Sequence, residues 1–266
     1  VSCSKDVVEK SVTKEKNMEL QMIEAYKEGL KELKKGDALF AAKKFNEAEI
    51  LFPQSDYAPK AALMAAYAYY SQNYYGDAIA ELERFSKIYP NYFNIAYAEY
   101  LLGLCFYEQI VDEKKDLESI SKAKSIFLSV VSKYPETDFA IDAEFKLDLI
   151  NDVLAAKEMY LGRYYFEKKK WISAINRFRV IIDNYGTTIY AQEALHRLVE
   201  IHYIIGLEKE AKKYAYLLGY NYKSSEWYEK SYSIFDKTYE ENKINKSLKK
   251  DKLTNSILKK FKSLFN

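Results

Sequence analysis

The sequence predicts an all-α chain, a solenoid of five helical hairpins with a long connecting helix and a C-terminal helical extension. Three observations predict it. Turn formers are scarce: the 266 residues hold 8 Gly and 4 Pro, far below the roughly 12% those two supply in an average chain, which leaves too few turns for a many-stranded sandwich or barrel. Charged residues make up 30% and apolar ones 48%, interspersed along the length, the mixture that amphipathic helices need and disordered chains lack. One spacing of small and apolar residues recurs five times, the mark of stacked supersecondary units.

The spacing is that of tetratricopeptide (TPR) units, 34-residue helical hairpins with a small residue at position 8 of the first helix and small or apolar residues at 20, 24 and 27 of the second. Gly29, Ala41, Phe45, Ala48 and Pro53 fit positions 8, 20, 24, 27 and 32 of a first unit. Ala66, Ala78, Leu82, Phe85 and Pro90 repeat the pattern. In a third unit Ala123, Phe127, Val130 and Pro135 keep the register, but Gly103 lies 20 residues before Ala123 instead of 12. An eight-residue insertion is therefore expected between its helices, at 112–116. Asp138 to Lys169 is helically periodic with Gly162 as its one interruption, so a single long helix is expected there. It leads into a fourth unit with Gly162, Tyr165, Ala174, Phe178, Ile181 and Gly186, and a degenerate fifth with Val199, Gly206, Ala211, Ala215 and Leu218. The physical reason is close approach: helix axes reach the short end of the 8–10 Å packing range only over Gly or Ala. Phe52-Pro53, Tyr89-Pro90 and Tyr134-Pro135 then stop the second helices, since Pro cannot continue them. The organisation read from this is a flexible polar leader (1–18), three N-terminal repeats (19–137), two C-terminal repeats with the connecting helix (138–225), and an extension (226–266).

Charge and composition exclude several functions. Lys+Arg 41 against Asp+Glu 39 gives +2, with no basic excess of the kind nucleic acid selects. The longest apolar run, Ala61 to Tyr70, has ten residues, half of what a bilayer core needs. There is no phosphate-cradling Gly loop, no Cys-x-x-Cys and no His-Glu-x-x-His, and a Ser or Cys nucleophile would lack a base. His196 and His202 lie six apart on one expected helix and point to different sides, so packing roles are expected for both, with no metal and no cofactor. Enzyme activity is not expected. The two cysteines cannot build a disulfide framework. Cys105, in Leu101-Leu102-Gly103-Leu104-Cys105-Phe106, reads as a buried thiol. Cys3, behind Val1-Ser2, has the setting of a cysteine that receives lipid at the end of a lipoprotein signal peptide.

Asn94-Ile95-x-Tyr97-x-x-Tyr100-x-x-Gly103-Leu104, the Tyr67-Ala68-Tyr69-Tyr70 run and the Ala156, Gly162, Tyr164, Tyr165 stretch add local detail. With five repeats, an insertion in the third, a long connecting helix and a lipid-type Cys3, the chain resembles the BamD family, lipid-anchored TPR subunits of the outer-membrane β-barrel assembly machinery. The resemblance runs from about Cys3 to Leu218 and leaves residues 226–266 outside it. It implies a non-enzymatic scaffold on the periplasmic face of the bacterial outer membrane, anchored by the lipid on Cys3. It further implies partners: unfolded barrel precursors at the N-terminal repeats, a POTRA domain of the barrel-forming subunit at the C-terminal repeats, and other assembly lipoproteins. Carried over by position, Asn176 and Arg177 match a pair whose Arg contacts the POTRA domain, where a guanidinium fork grips a carboxylate. Tyr67, Tyr70, Tyr97 and Tyr100 are the expected precursor-binding groove, with intra-repeat packing as the competing role. The alternatives are an envelope TPR lipoprotein serving another process such as cell-wall synthesis, and a cytosolic TPR adaptor for acidic peptide tails.

The extension carries its own pattern. Residues 243–266 hold eight Lys and one Asp, and Leu248, Leu253, Ile257, Leu258, Phe261, Leu264 and Phe265 recur at helical spacing. Such a basic amphipathic segment suits docking on a protein partner through Leu253, Ile257, Leu258 and Phe261, with a membrane surface or self-capping of the solenoid as the other uses. Trp227 to Tyr239 lie nearer the last repeat and suit the capping role.

Overall fold

At Gly29, Gly103 and Gly162 the small residue predicted from the spacing marks a place where two helices cross closely. The computed structural model describes residues 5–110, 118–223 and 225–235, with side chains from residue 18 on. Among the described residues there are eleven helices and no strand, an all-α TPR fold. They are α1 (Lys5–Lys35), α2 (Ala38–Leu51), α3 (Tyr57–Ser71), α4 (Tyr75–Ile88), α5 (Ile95–Tyr107), α6 (Glu118–Lys133), α7 (Asp138–Glu167), α8 (Trp171–Asn184), α9 (Ala191–Ile204), α10 (Glu208–Asn221) and α11 (Glu226–Phe235). The chain divides into two units, Val1–Ile150 and Asn151–Asn266, with α7 passing from one into the other. Cys3, the insertion expected at 112–116 and the tail residues Leu253, Ile257, Leu258 and Phe261 lie outside the described residues.

Position 8 and position 24 of each hairpin are matched in volume. A Cβ placed on Gly29 would sit 2.8 Å from the Phe45 ring, on Gly103 2.6 Å from Phe127, and on Gly162 2.5 Å from Phe178. Wherever the second helix carries Phe at this crossing, the first helix carries Gly. In the second hairpin the pair is Ala66 with Leu82, and in the fifth Val199 with Ala215. Phe45, Phe127, Phe178, Leu82, Ala66 and Val199 are all fully buried. The crossing holds a nearly constant total volume, as close packing requires.

The turns between paired helices are one device used four times. Gly36 (φ 85°), Asn73 (φ 64°), Lys169 (φ 55°) and Gly206 (φ 82°) share the same register and the left-handed conformation. The next amide, at Asp37, Tyr74, Lys170 and Leu207, donates back to the carbonyl five residues earlier, at 2.8–3.1 Å, which is the Schellman closure of a helix end. The third hairpin puts Ile110 at this register, a β-branched residue that resists positive φ. The proline punctuators stand two residues past the ends of α2, α4 and α6.

In the first unit, α1, α2 and α3 share a core around Met22, Phe45 and Ala65, and α3, α4 and α5 share one around Leu82, Phe85 and Leu101. Polar groups between α2 and α4 are tied together. Glu49, buried, accepts from Arg84 Nη1 and Nη2 at 2.9 and 2.6 Å and from the Tyr89 hydroxyl at 2.8 Å. Arg84 Nε also reaches Glu81 at 3.0 Å, and Glu81 accepts from Asn46 at 3.1 Å. Burial, helped by the Glu49 carboxylate, pushes the Tyr89 phenol up to about 12. In the second unit, α7, α8 and α9 enclose Met159, Phe178, Ile181 and Leu198.

Candidate functional site

The first unit carries a groove between two first helices of neighbouring hairpins. Its volume is about 710 Å³, and α3 contributes Tyr57, Lys60, Leu63, Met64 and Tyr67, while the approach to α5 contributes Tyr92, Phe93, Asn94 and Tyr97. Alternation on a helix surface explains the α3 set: 57, 60, 63/64 and 67 fall on one face at three and four residue spacing. Small residues at Ala61, Ala62, Ala65 and Ala66, all fully buried, let the opposite face sink into the core, with Leu63 buried beside them and Tyr57 and Tyr67 left exposed. Phe93 is 80% exposed and sits edge-tilted on Tyr92 with ring centroids 4.5 Å apart. An apolar ring that far in water, beside a concave wall of four tyrosines, is the kind of exposed apolar surface found at binding sites. Lys60 lies over the Tyr26 ring, 5.7 Å from its centroid. Burial, with Tyr67 and Tyr70 nearby, pushes the Tyr97 phenol up to about 12, and the charged groups lining the groove are Asp56 and Lys60.

Of the four tyrosines singled out from the sequence, the structure brings Tyr67 and Tyr97 together in this groove. Tyr70 packs on Tyr75, centroids 6.0 Å apart, against the Leu82 core. Tyr100 donates to Asp142 at the start of α7 and packs on Phe127 and Phe139, bracing α5 against its neighbours. Sequence reasoning missed Tyr57, Lys60, Tyr92 and Phe93. Phe93 was readable in principle, since it stands outside helical periodicity in the Asn91-Tyr92-Phe93-Asn94 connection, where a core ring has no helix to hold it.

The second unit places Asn176 and Arg177 on α8, beside Tyr165 and Ser173, around a small cleft of about 190 Å³. Arg177 Nη1 donates to Glu158 of α7 at 3.1 and 3.3 Å. Its side chain remains 40% exposed, so the guanidinium has donors left over for a carboxylate from outside. Glu193 of α9, buried, pairs with Arg163 and Arg197, and burial opposed by these two cations leaves its carboxyl below the ordinary range. The histidines are packing residues. His196 Nδ1 is 2.8 Å from Ser231 Oγ on α11 and its ring tilts on Trp227, while His202 Nδ1 bonds the Leu198 carbonyl at 2.7 Å. Burial holds the His196 ring below its ordinary value. Cys105 is fully buried and its thiol is pushed up to about 12 by that burial. Among the described residues no group of three His, Cys, Asp or Glu side chains is arranged for a metal ion, and no helix is long and apolar enough to cross a membrane.

Residues 18–218 match the family model YfiO, described as an outer membrane lipoprotein. The outer membrane protein assembly factor BamD of Rickettsia prowazekii is 43% identical over 209 residues, covering 79% of this chain and 83% of that protein. The factor of the same name from Caulobacter vibrioides is 39% identical over 211 residues, covering 79% and 69%. That of Neisseria gonorrhoeae is 31% identical over 188 residues, covering 67% and 70%. Residues 219–266 fall outside the matched span of the family model.

Proposed function

The chain belongs to the BamD family of outer membrane protein assembly factors, a family of non-enzymatic scaffolds. On that premise we propose that its N-terminal unit receives unfolded β-barrel precursors in the groove between α3 and α5. The observation that carries this reading is the exposed Phe93 standing beside the ring wall of Tyr57, Tyr67, Tyr92 and Tyr97. Barrel strands alternate apolar and polar residues and are rich in aromatic side chains at their ends. An extended segment of that kind offers rings at alternate positions, and rigid tyrosines bind rings over a large area with little entropy lost. Asp56 and Lys60 supply one charge of each sign at the groove wall.

In the C-terminal unit, Asn176 and Arg177 hold a POTRA domain of the barrel-forming subunit through a carboxylate. Glu158 supports this by orienting the guanidinium before the partner arrives, which lowers the cost of ordering a long side chain on binding. The lipid on Cys3 tethers the scaffold to the periplasmic face of the outer membrane, where other assembly lipoproteins join it.

The groove is tested by fluorescence anisotropy of a labelled C-terminal peptide from a barrel precursor. Replacing Phe93 and Tyr67 by Ala together should weaken binding about tenfold or more, the effect of losing aromatic anchors. Equal affinity for both proteins would remove the groove from the reading. The second contact is tested by pull-down of the barrel subunit with Arg177→Ala. Charge reversal is the poorer choice there, because it would set a carboxylate against Glu158. Undiminished recovery of the subunit would refute the role of Arg177.

A further inference from the structure

The start of α7 is seated on α5 by one face and bare on the other. Phe139 packs on Tyr97 and Tyr100 with ring centroids 5.3 and 5.5 Å apart, Asp142 accepts from the Tyr100 hydroxyl, and Lys146 Nζ lies 4.9 Å from the centre of the Tyr107 ring. Ala140, Ala143, Leu147 and Ile150 are buried. The opposite face holds Ile141, Phe145 and Leu149, which are 54%, 64% and 49% exposed. Successive four-residue steps make these three one continuous ridge, the row that packs into the groove of another helix, about 12 Å long at the helical rise. Single exposed apolar side chains are ordinary, but a row of three on a helix already fixed from behind is the arrangement of an interaction surface. The charges around the ridge select what it can meet. Residues 138–149 hold four acids and one base. Of these, Asp142 and Lys146 are engaged with tyrosines of α5. Asp138, Glu144 and Asp148 are exposed, and none of the three is held by a cation among the described residues. Glu144 and Asp148, one turn apart, run alongside Ile141 and Phe145, and Asp138 stands at the head of the ridge. A surface apolar at its centre and acidic at its border is repelled by anionic lipid and complements an apolar stripe bordered by lysine or arginine.

We propose that this ridge is the docking surface for a basic amphipathic helix of a separate protein. Apolar residues of that helix, at three- and four-residue spacing, lie across Ile141, Phe145 and Leu149, and its Lys or Arg side chains meet Glu144 and Asp148. A helix fits better than an extended segment, because the side-chain rows of two helices interdigitate, whereas a strand needs a sheet edge to pair with and α7 offers none. The contacts with α5 hold the ridge in place before the partner arrives, so little freedom is lost on docking. The border acids steer a cationic partner to the ridge and turn away acidic ones. This face is distinct from the α3–α5 groove and takes a partner of different chemistry.

The test uses the full chain and a fluorescein-labelled helical peptide with Leu at three- and four-residue spacing and Lys elsewhere, beside the same peptide with Glu in place of Lys. Anisotropy should show the lysine peptide binding about tenfold tighter than the glutamate one. Ile141→Ser with Phe145→Ser should weaken the lysine peptide about tenfold. Glu144→Gln with Asp148→Asn should weaken it too and flatten its dependence on salt. All four side chains are exposed, so both double variants should melt with the parent. Phe93→Ala with Tyr67→Ala, and separately Ile172→Ser on α8, should leave the affinity unchanged. Equal binding of the two peptides would overturn the proposal, and so would undiminished binding by the Ile141→Ser, Phe145→Ser variant. A loss confined to Phe93→Ala with Tyr67→Ala would place the peptide in the α3–α5 groove and overturn it as well. Sedimentation of the protein alone covers the remaining occupant: a dimer that dissolves in the Ile141→Ser, Phe145→Ser variant would give the ridge to a second copy of this chain instead.

Discussion

Gly162→Ala isolates the volume matching that holds each hairpin together. A Cβ at this position would lie 2.5, 2.8 and 2.9 Å from three atoms of the Phe178 ring, where carbon pairs prefer 3.5–4.0 Å. Phe178 is fully buried, so the ring has no water to swing into and must push on its neighbours. Striking three ring atoms places the overpacking near the upper end of its usual range, about 3 kcal/mol. The gain in helix propensity from Gly to Ala offsets about 1 kcal/mol of that. The net expectation is about 2 kcal/mol of destabilisation, which accelerates hydrogen exchange in α7 and α8 by about thirtyfold if opening is local. Gly76→Ala in α4 is the internal reference, because nothing lies within 4 Å of its Cβ position; there the propensity gain stands alone and exchange should slow. Adding Phe178→Leu to Gly162→Ala recreates the Ala66–Leu82 pair of the second hairpin. That double variant should be more stable than the sum of the single effects by about 1 kcal/mol or more. If Gly162→Ala and Gly76→Ala behave alike in native-state exchange, the crossing is not close-packed and the matching of positions 8 and 24 explains nothing.

Other outcomes follow from single residues. Arg84→Leu strips the buried Glu49 of both its guanidinium bonds, and since Arg84 is about a third exposed the expected loss is about 2 kcal/mol, below that of a fully buried pair; a urea midpoint unchanged from the parent would contradict it. His196 is held below its ordinary value in the folded state, so the unfolded chain takes its proton first, at about pH 6.5. Stability should therefore fall as pH drops below that point, and His196→Gln should flatten the melting temperature between pH 7 and 5.5. The lowered Glu193 carboxyl acts in the same direction but only under its ordinary range near 4.5, outside that window. A slope left intact in His196→Gln would show that another group titrates. The Cys105 thiol, buried and pushed up to about 12, should resist Ellman's reagent at pH 8 in a Cys3→Ser background until the chain unfolds; rapid labelling of the native protein would mean that α5 opens.

The fold was legible because its determinants are local. Small residues at Gly29, Ala41, Ala66, Ala78, Gly162 and Ala174 announce helix crossings whatever surrounds them, and the uninterrupted period from Asp138 announced α7, which ends at Glu167. The charged network was not legible. Glu49 looks like any of the chain's many acidic residues, and its partner Arg84 lies 35 positions away. Asn46–Glu81 and His196–Ser231 span the same 35 residues, so a search one hairpin further along would have found all three. The groove was half legible. Aromatic content marked Tyr67 and Tyr97, but nothing in one helix distinguishes them from Tyr70 and Tyr100, whose places are decided by Tyr75 and Asp142 on other helices. Arg177 was singled out by resemblance, and its ion-pair companion Glu158, 19 residues earlier on α7, was visible only in three dimensions.

The repeated left-handed turn bears on the order in which the chain assembles. In four hairpins the connection closes through a bond spanning five residues, so the second helix can dock almost as soon as it leaves the ribosome, with hardly any chain to search. The hairpin of α5 and α6 is the exception: Ile110 stands at the register of the left-handed residue and resists positive φ, and in sequence Gly103 and Phe127 lie eight residues further apart than the matching pair of the first hairpin. Closing the longer link costs more entropy. Its docking then depends on packing already offered by α3 and α4, so the third hairpin should form after the second and last within the N-terminal unit. Anything that delays the second hairpin during synthesis would leave the apolar face of α5, with Leu101, Cys105 and Phe106, in water and open to chaperones.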